Sequence, residues 1–329
     1  MNFSSIYIEE EIVDMPRVKD ILRQLPQMPK VIVGRYGEVF NRRSQNFRLQ
    51  KQKPALILAK KHGKLVLPAP SGYGFNNAPS FYFSHMLNCV YDCRYCFLQG
   101  MYRSANYVLF VNYEDFTSAL QAELDEHSKG AVFYSGYDCD SLALEPVSKF
   151  TNYFIDWFAR KPKSTLEIRT KSTQVRSLSN RPPISNCIIA MSFTPSDIFQ
   201  KWEHKVPSID KRLEALSRLQ EQGWPVALRL EPLIYQKNFA IGYEQLLTCI
   251  FDKLDARNIH SVSTGLFRMP KTFFKNIVEL YPDEPLYAQS YDQRDGLVSH
   301  SVDQETEMVE IVENLLLRYM PKTRLYRCA

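Results

Sequence analysis

The stretch Cys89-Val-Tyr-Asp-Cys93-Arg-Tyr-Cys96-Phe-Leu-Gln carries three cysteines at the spacing C-x3-C-x2-C. Three thiolates can hold three irons of a [4Fe–4S] cube and leave the fourth iron without a protein ligand. An open iron of this kind can chelate a small molecule in which an amine stands beside a carboxylate. The spacing therefore predicts an iron–sulfur cluster that binds such a molecule.

Clustered cysteines have two other common uses, a zinc site and a disulfide framework. Zinc sites commonly use paired C-x2-C units and four ligands, and no fourth cysteine or histidine follows at a matching distance. His85 lies four residues before Cys89, so a zinc site of three cysteines and one histidine stays open. A disulfide framework is not expected, because the chain is long and its seven cysteines are an odd number.

The length of 329 residues allows one large α/β domain or two small ones. A hydrophobic fraction of 45% is typical of a globular protein with a sizeable core. No stretch approaches the ~20 apolar residues of a membrane span, and the first residues do not resemble a signal peptide. Clustered cysteines fit a reducing compartment. We therefore expect a cytoplasmic, monomeric protein that does not associate with a membrane.

The formal net charge of +5 permits nucleic-acid binding without requiring it. The distribution of charge is more informative, because residues 41–64 contain basic side chains and no acidic one. The basic side chains are Arg42, Arg43, Arg48, Lys51, Lys53, Lys60, Lys61 and Lys64. Such a run is either a solvated face or a surface that contacts a phosphate backbone. In the second case, Arg42, Arg43 and Arg48 are the candidate DNA contacts.

From about residue 79 the chain alternates strand-like and helix-like segments. The predicted strands begin at Ser80, Ala131, Thr165, Cys187, Pro225 and His260. The predicted helices span residues 113–127, 145–160, 209–222, 243–257, 271–280 and 304–319. Alternation of this kind gives parallel strands joined by right-handed crossovers.

The predicted fold class is therefore α/β, a partial (β/α)6 TIM-type barrel with an irregular basic N-terminal region and a C-terminal helical extension. The expected boundaries of these three parts are 1–78, 79–285 and 286–329. An open doubly wound sheet is less well supported, because the chain has no G-x-G-x-x-G. A parallel barrel carries its chemistry at the C-terminal ends of its strands, and the cysteine motif follows the first predicted strand.

Beyond the cysteines, the chain resembles the spore photoproduct lyase family of the radical S-adenosylmethionine superfamily. The resemblance covers roughly residues 79–285. The stretches that carry it are Cys93-Arg-Tyr-Cys-Phe-Leu-Gln, Tyr137-Asp-Cys-Asp-Ser, Arg169-Thr-Lys-Ser, and Met191-Ser-Phe with the later Pro207-Ser-Ile-Asp-Lys-Arg-Leu-Glu-Ala. It implies a lyase that repairs a thymine dimer in DNA with a [4Fe–4S] cluster and S-adenosylmethionine. It also implies an electron donor such as flavodoxin or ferredoxin.

The same resemblance implies roles for individual residues. Iron ligation would fall to Cys89, Cys93 and Cys96. The S-adenosylmethionine pocket would be lined by Ser141, Lys171 and Ser192. Glu231 stands where the family has a small residue and uses its backbone. Its carboxylate either takes the ammonium of the methionine moiety or forms an ion pair with Arg229 or Arg169.

Cys139 would be the hydrogen-atom donor to a thymine-centred radical, because a thiol S–H bond is weak. A lone buried cysteine is, however, usually only a small apolar filler. In the family, two tyrosines flanking the last cluster cysteine are thought to return the radical to the cofactor. Here Tyr95 is kept and Phe97 replaces the second. The relay is therefore broken or shortened, unless another tyrosine substitutes. The candidates are Tyr91, Tyr102 and Tyr137.

A second departure lies near the C-terminus, where the family has a basic, aromatic hairpin that pries the lesion from the duplex. Residues 287–296 offer one arginine, Arg294, against Asp292 and Asp295. Base flipping normally uses a wedge and a basic grip, so either the basic residues of 41–64 replace that grip or the substrate differs.

Two alternative functions stay open: radical chemistry on another substrate, and a metal-stabilised nucleic-acid binding protein without catalysis. Cys328 is expected to be exposed and incidental.

Overall fold

The structure is a computed structural model, and it describes residues 3–70, 72–74 and 78–328. Its strands are β1 (Ile6–Glu9), β2 (Lys30–Val33), β3 (Leu56–Ala59), β4 (Val66–Pro68), β5 (Ser80–Phe83), β6 (Met86–Leu87), β7 (Asp92–Cys93), β8 (Tyr107–Phe110), β9 (Ala131–Ser135), β10 (Ser164–Thr170), β11 (Cys187–Ser192), β12 (Glu203–His204), β13 (Val226–Leu233), β14 (Ile259–Leu266), β15 (Arg268–Pro270), β16 (Asp292–Arg294), β17 (Leu297–Ser299) and β18 (Leu325–Arg327). Its α-helices are α1 (Pro16–Gln24), α2 (Gly37–Phe40), α3 (Phe47–Gln52), α4 (Leu98–Met101), α5 (Tyr113–Glu126), α6 (Glu145–Ser148), α7 (Phe150–Ala159), α8 (Arg176–Ser179), α9 (Ser196–Trp202), α10 (Ile209–Glu221), α11 (Phe239–Phe251), α12 (Lys271–Leu280) and α13 (Val302–Leu316).

The larger sheet has the strand order β18-β14-β13-β11-β10-β9-β5-β4. All six predicted strands lie in it, as β5, β9, β10, β11, β13 and β14, and each pairs in parallel with its neighbour. At the edges, β4 is antiparallel to β5, and β18 is parallel to β14. The sheet curls into a half-barrel, which confirms the predicted α/β partial barrel.

Side-chain alternation along the strands separates an apolar outer face from a polar inner face. In β10, Leu166 and Ile168 belong to the main hydrophobic core together with Phe154 of α7. Glu167 and Arg169 point to the opposite face of the same strand. The outer face therefore drives folding by burial against the crossover helices, and the inner face is free to carry polar groups.

Four charged side chains from β10 and β13, the two strands on either side of β11, pair inside the barrel. Glu167 accepts hydrogen bonds from Arg169 and Arg229, each at 2.7 Å, and Arg169 also donates to Glu231 at 3.0 Å. Burial raises the pKa of Glu167, but the two guanidinium groups outweigh burial and hold that pKa at about 2. Because each charge has a partner, the interior can be polar at a tolerable desolvation cost.

The N-terminal part of the chain is more regular than the irregular region that the sequence predicted. Two short apolar segments of this part form β2 and β3, and they join a second sheet of order β2-β1-β3-β8-β6. In this sheet β1, β2, β3 and β8 are parallel. Each of these strands has only four residues, and β8 comes from beyond the cysteine motif. Local sequence patterns carry little signal for such short and distant pairings.

Residues 268–328 contain the predicted helices α12 and α13, together with two additions. A small antiparallel sheet joins β15, β17 and β16, and β18 returns the chain to the edge of the barrel.

The helix predicted at 145–160 is broken into α6 and α7, because Lys149 between them has a φ of +49°. Within the described residues, no helix is both long and apolar enough to cross a membrane.

Candidate active site

A cavity of about 280 Å³ opens where the barrel strands end. Its wall combines the cysteine loop, residues 88–97, with the C-terminal ends of β9, β10, β11 and β13. The predicted site residues that line it are Cys89, Cys93, Tyr95, Cys96, Cys139, Lys171, Ser192 and Glu231. The predicted site residues that do not line it are Ser141, Arg42, Arg43, Arg48 and Arg294. The structure thus brings the cluster cysteines and Cys139 to one cavity.

The cysteine loop is held at its first residue, Asn88, and at β7 near its middle. Asn88 has a φ of +69°, a left-handed conformation that asparagine tolerates. Its side-chain amide donates to the carbonyl oxygens of Ser104 and Asn106 at 2.7 and 2.8 Å. Further along the loop, β7 pairs antiparallel with β12. These contacts fix the loop backbone that presents the three thiols.

The donor set of the loop fits an iron–sulfur cluster. Burial raises the pKa of all three thiols, that of Cys89 to about 12. Thiolates at such a site therefore need compensating positive charge, which iron supplies. The sulfur atoms of Cys89, Cys93 and Cys96 are not all within 4.8 Å of one another. Sulfurs bound to one tetrahedral zinc lie about 3.8 Å apart, so the wider spacing suits a cube better than a single ion.

His85, the fourth ligand of the alternative zinc site, is a core side chain. It is 1% exposed, and its ring stacks on Phe150 with the ring centroids 4.2 Å apart. Burial lowers its pKa to about 3, so the imidazole is neutral. His85 is not among the residues that line the cavity with the cysteines. The geometry therefore does not favour a zinc site of three cysteines and one histidine.

Lys51 belongs to the basic run, residues 41–64, and it lies against the cysteine loop. It sits on α3 and is only 6% exposed. Its Nζ donates to the carbonyl oxygens of Cys89 and Tyr91 at 2.9 and 3.0 Å. Burial lowers its pKa, and the carboxylate of Asp92 opposes that shift. Sequence analysis missed this contact, because a six-residue helix has too few turns to show which face is buried.

Cys139 follows β9 through a glycine turn. Gly136 has a φ of +85°, and a Cβ there would lie 2.5 Å from the hydroxyl of Ser141, so the turn requires glycine. The Cys139 thiol is buried, and burial, reinforced by Cys89 and Asp138, raises its pKa well above the usual value. The thiol therefore keeps its hydrogen at neutral pH, as a hydrogen-atom donor must.

Asp140 ties this turn to the end of β10. One carboxylate oxygen accepts from the backbone N–H groups of Leu142 and Ala143 at 3.0 and 2.9 Å, and from the hydroxyl of Thr170 at 2.7 Å. The other oxygen accepts from the N–H of Lys171 at 2.6 Å. Asp140 thus fixes the segment that carries Cys139, a role that its sequence position did not reveal.

Tyr95 donates its phenolic hydrogen to Glu203, whose side chain is fully buried. Glu203 also accepts from Arg212 and Thr194, each at 2.9 Å, and the Nζ of Lys171 lies 3.7 Å away. Burial raises the pKa of Glu203, but Lys171 and Arg212 outweigh burial and lower it. Burial raises the pKa of Tyr95 well above its usual value. Tyr95 is therefore a neutral phenol fixed by a buried charged group.

Aromatic rings line one side of the cavity. Phe97 contacts Tyr137 with the ring centroids 5.8 Å apart. Tyr137 stacks on Tyr82, with centroids 4.4 Å apart and an angle of 29° between the planes. Burial raises the pKa of Tyr137, and the positive charge of Arg268, an exposed residue on β15, opposes that shift. Stacked aromatic faces beside a cation suit an unstacked base and its phosphate, and sequence analysis identified neither Tyr82 nor Arg268.

Glu231 lines the cavity but has partners within the chain. It pairs with Arg169 at 3.0 Å, rather than with Arg229, and it accepts a hydrogen bond from the hydroxyl of Ser263. Cys328 lies beside this pair, with its sulfur hydrogen-bonded to Arg169, and burial raises the pKa of its thiol to about 12. The expectation that Cys328 is exposed is therefore wrong, because the residue is half-buried where β18 returns the chain to the edge of the barrel.

Of the other predicted cofactor residues, Lys171 and Ser192 lie at the cavity surface and Ser141 lies behind it. Lys171 and Ser192 line the cavity at the ends of β10 and β11. Ser141 is 1% exposed, and its hydroxyl lies 2.8 Å from the hydroxyl of Ser135. It lies behind the wall of the cavity, so a direct contact between Ser141 and a cofactor stays a prediction.

The basic run divides into exposed and buried side chains. Arg42, Arg43 and Arg48 are exposed. Arg42, just beyond α2, donates through Nε to the carbonyl oxygen of Glu38 at 2.8 Å, and Arg48 lies over the ring of Tyr281, 5.6 Å from its centroid. These three arginines remain available to a phosphate backbone, whereas Lys51 does not.

Arg294 is engaged inside the chain. Its Nη2 donates to the hydroxyl of Ser299 and to the carbonyl oxygen of His300, both at 2.8 Å. It also forms an ion pair with Glu305 at 2.7 Å. A DNA contact by Arg294 stays a prediction, and these contacts do not favour it.

Comparison with known protein families identifies the family of this chain. The profile of the family described as spore photoproduct lyase matches residues 4–325. The chain belongs to this family. The matched range extends well beyond the residues on which the sequence resemblance rested, and it includes the N-terminal sheet. Membership confirms the predicted family and the predicted class of enzyme, a radical S-adenosylmethionine lyase.

Relatives in the spore photoproduct lyase family are distant in sequence. The spore photoproduct lyase of Clostridium acetobutylicum is 21% identical over 262 residues, which cover 78% of this chain and 76% of the relative. That of Bacillus subtilis strain 168 is 21% identical over 252 residues, which cover 72% of each.

Solved structures of spore photoproduct lyase share the fold. A serine-for-cysteine mutant has a TM-score of 0.86 at 15% identity, covering 99% of this chain and 98% of the other. A spore photoproduct lyase complexed with dinucleoside spore photoproduct has a TM-score of 0.84 at 16% identity, with the same coverage. The two large sheets are therefore part of a fold known in the family.

Proposed function

We propose that this protein repairs a thymine-dimer type lesion in DNA, with a [4Fe–4S] cluster and S-adenosylmethionine as cofactors. The observation that carries the proposal is the shared cavity, which is lined by Cys89, Cys93 and Cys96 on one side and by the protonated thiol of Cys139 on another. Zinc can also take four thiolates, so the proposal depends on Cys139 keeping its hydrogen, and burial favours that protonated form.

The residues divide the work of binding between them. Cys89, Cys93 and Cys96 would ligate the cluster, and Lys171, Ser192 and Glu231 would line the pocket for S-adenosylmethionine. When bound, these two cofactors supply a carbon radical that removes a hydrogen atom, chemistry that belongs to them and not to the protein. The barrel contributes position, because all these side chains lie at strand ends that share one cavity.

Cys139 would act after the lesion's bridging bond has broken. The thiol gives one hydrogen atom to the thymine-centred radical, so the S–H bond breaks, a C–H bond forms, and a thiyl radical remains on Cys139. Asp140 holds the backbone around Cys139 during this step. Tyr95 is the one retained member of the tyrosine pair that returns the radical in the family, and its phenol already donates to Glu203.

Structures of relatives support the choice of substrate and cofactor. One is titled as complexed with dinucleoside spore photoproduct, and another, a double mutant, as having bound AdoMet and dinucleoside spore photoproduct. We propose the same ligand classes here, with a cytoplasmic location, a monomeric state and reduction by flavodoxin or ferredoxin. The aromatic pair Tyr82 and Tyr137 would hold an unstacked base.

The test is an anaerobic assay of the reconstituted protein with dithionite as reductant. Irradiated DNA should stimulate release of 5′-deoxyadenosine and should regain intact thymines, whereas unirradiated DNA should do neither. Because Phe97 lacks a phenolic hydrogen, we expect close to one cofactor consumed per repair. Release of 5′-deoxyadenosine without any effect of irradiated DNA would point to another substrate. DNA binding without any cofactor cleavage would point to the non-catalytic alternative.

We also propose that the exposed arginines Arg42, Arg43 and Arg48 contact the phosphate backbone. Binding to DNA should weaken steeply with salt, by a slope of about 0.9 per phosphate contact on a logarithmic scale. Replacing all three arginines with glutamine should flatten that slope, measured by fluorescence anisotropy at several salt concentrations.

The control for this measurement removes the same charge from the outside of the barrel. It replaces Lys129, Lys149 and Arg160, all exposed, with glutamine. This control should leave the salt slope as in the wild type. An equal slope for wild type and the Arg42, Arg43 and Arg48 variant would show that the run is only a solvated face.

A further inference from the structure

Lys51 is a buried cation with no acidic partner in direct contact. Its exposure is 6%, and among the described residues it forms no ion pair within 4.0 Å. The buried arginines of this structure behave differently, since Arg212 pairs with Glu203 at 2.9 Å and Arg229 pairs with Glu167 at 2.7 Å. A buried charge is normally paired, because removing it from water is costly. The location of Lys51 therefore calls for a nearby negative charge, which the carboxylate of Asp92 supplies only from a distance.

The ammonium group is aimed at the cysteine loop. Two hydrogen bonds, to the carbonyl oxygens of Cys89 and Tyr91, use two of its three N–H donors. The side chain lines the same cavity as the three thiols. Lys205 donates to the backbone carbonyl of Lys51 at 2.8 Å, which fixes α3 relative to β12. Among the described residues, one donor of Lys51 is thus left without a hydrogen bond, beside the cavity that the three thiols line.

We propose that Lys51 is a positioning residue for the iron–sulfur cluster, which holds the cysteine loop and offsets the negative charge of the thiolates. The inference rests on the proposed function, because it requires the cluster. A cube bound by thiolates gains one more negative charge when it is reduced, and a nearby cation in a low-dielectric site stabilises that form. Lys51 therefore makes the cluster easier to reduce, and the cluster is the missing partner of the buried ammonium.

The experiment compares Lys51→Met and Lys51→Gln with Lys53→Met, in which an exposed lysine two residues away loses the same charge. The cluster is titrated with dithionite under anaerobic conditions and followed by electron paramagnetic resonance. At a fixed potential, we expect the ratio of reduced to oxidised cluster to fall at least about tenfold in both Lys51 variants, which is 59 mV for a one-electron couple. Lys53→Met should match the wild type.

Lys51→Gln removes the charge and keeps an N–H donor on a side chain one bond shorter, whereas Lys51→Arg keeps both charge and donors, so the pair separates the effect of charge from that of the hydrogen bonds. A second readout is the rise in Tm on cluster reconstitution, because a ligand that binds the folded state stabilises it. That rise should shrink in Lys51→Gln and should be largely retained in Lys51→Arg. A purely structural role predicts lower Tm values with and without the cluster, and an unchanged difference between them.

Two results would overturn the proposal. One is a wild-type potential in Lys51→Gln at full iron content. The other is an equal loss of cluster in Lys51→Arg and Lys51→Gln, and this result decides the question where a variant binds little iron. The cluster would then depend on the shape of the side chain and not on its charge. The proposed function is tested separately, by repair of irradiated DNA with the wild-type protein and dithionite. Wild-type repair combined with an unmoved potential in Lys51→Gln would reject this inference alone.

Discussion

Replacing Cys93 with alanine is expected to remove the iron and to abolish cofactor cleavage altogether. The wild-type protein, purified or reconstituted without oxygen, should be brown and contain about four irons per chain. Cys93 lines the cavity from β7, and without it only two of the three protein thiolates would remain to hold the cube. The measurement is iron and sulfide content, followed by release of 5′-deoxyadenosine.

The matched control is Cys187→Ala, because Cys187 is a fully buried cysteine in β11 that belongs to the core and not to the cavity. This change should cost on the order of 1 kcal/mol of stability and keep the iron. Stoichiometric zinc in the wild-type protein, or full iron in Cys93→Ala, would contradict the cluster assignment.

The barrel was predictable from sequence because its signals are local. Each of its six strands is a short apolar run next to a helix with regular apolar spacing, and parallel pairing follows from that alternation. The N-terminal sheet was not predictable in this way. Its strands β1, β2 and β3 have four residues each, and β8 reaches them from the far side of the cysteine motif. Only the folded chain shows such pairings.

The candidate site shows the same division. The cysteine spacing identified the loop, and the family resemblance pointed to Cys139, which the structure places in the same cavity. Sequence could not show that Lys51 leaves its basic run to contact the loop, or that Glu203 lies under Tyr95. These contacts join residues far apart in the chain, 38 positions for Lys51 and Cys89 and 108 for Tyr95 and Glu203.

Replacing Cys139 with alanine should separate cofactor cleavage from repair. The variant should still release 5′-deoxyadenosine in response to irradiated DNA, because the cluster cysteines and the cofactor pocket are untouched. The lesion radical would then lack its hydrogen donor, and side products should replace restored thymine. We expect clean repair to fall at least about tenfold more than cofactor cleavage, a difference of about 1.4 kcal/mol in barrier.

A packing role for Cys139 predicts a different pattern. Removing one buried sulfur leaves a small cavity, costs on the order of 1 kcal/mol of stability, and depresses both products alike. Cys139→Ser keeps the volume but replaces the weak S–H bond with a strong O–H bond, so the donor role predicts that it behaves like alanine. The experiment counts 5′-deoxyadenosine and repaired thymine in the same reactions. Equal loss of both products in Cys139→Ala, or clean repair by Cys139→Ser, would reject the donor role, because the reaction would then depend on the shape of the side chain and not on its hydrogen.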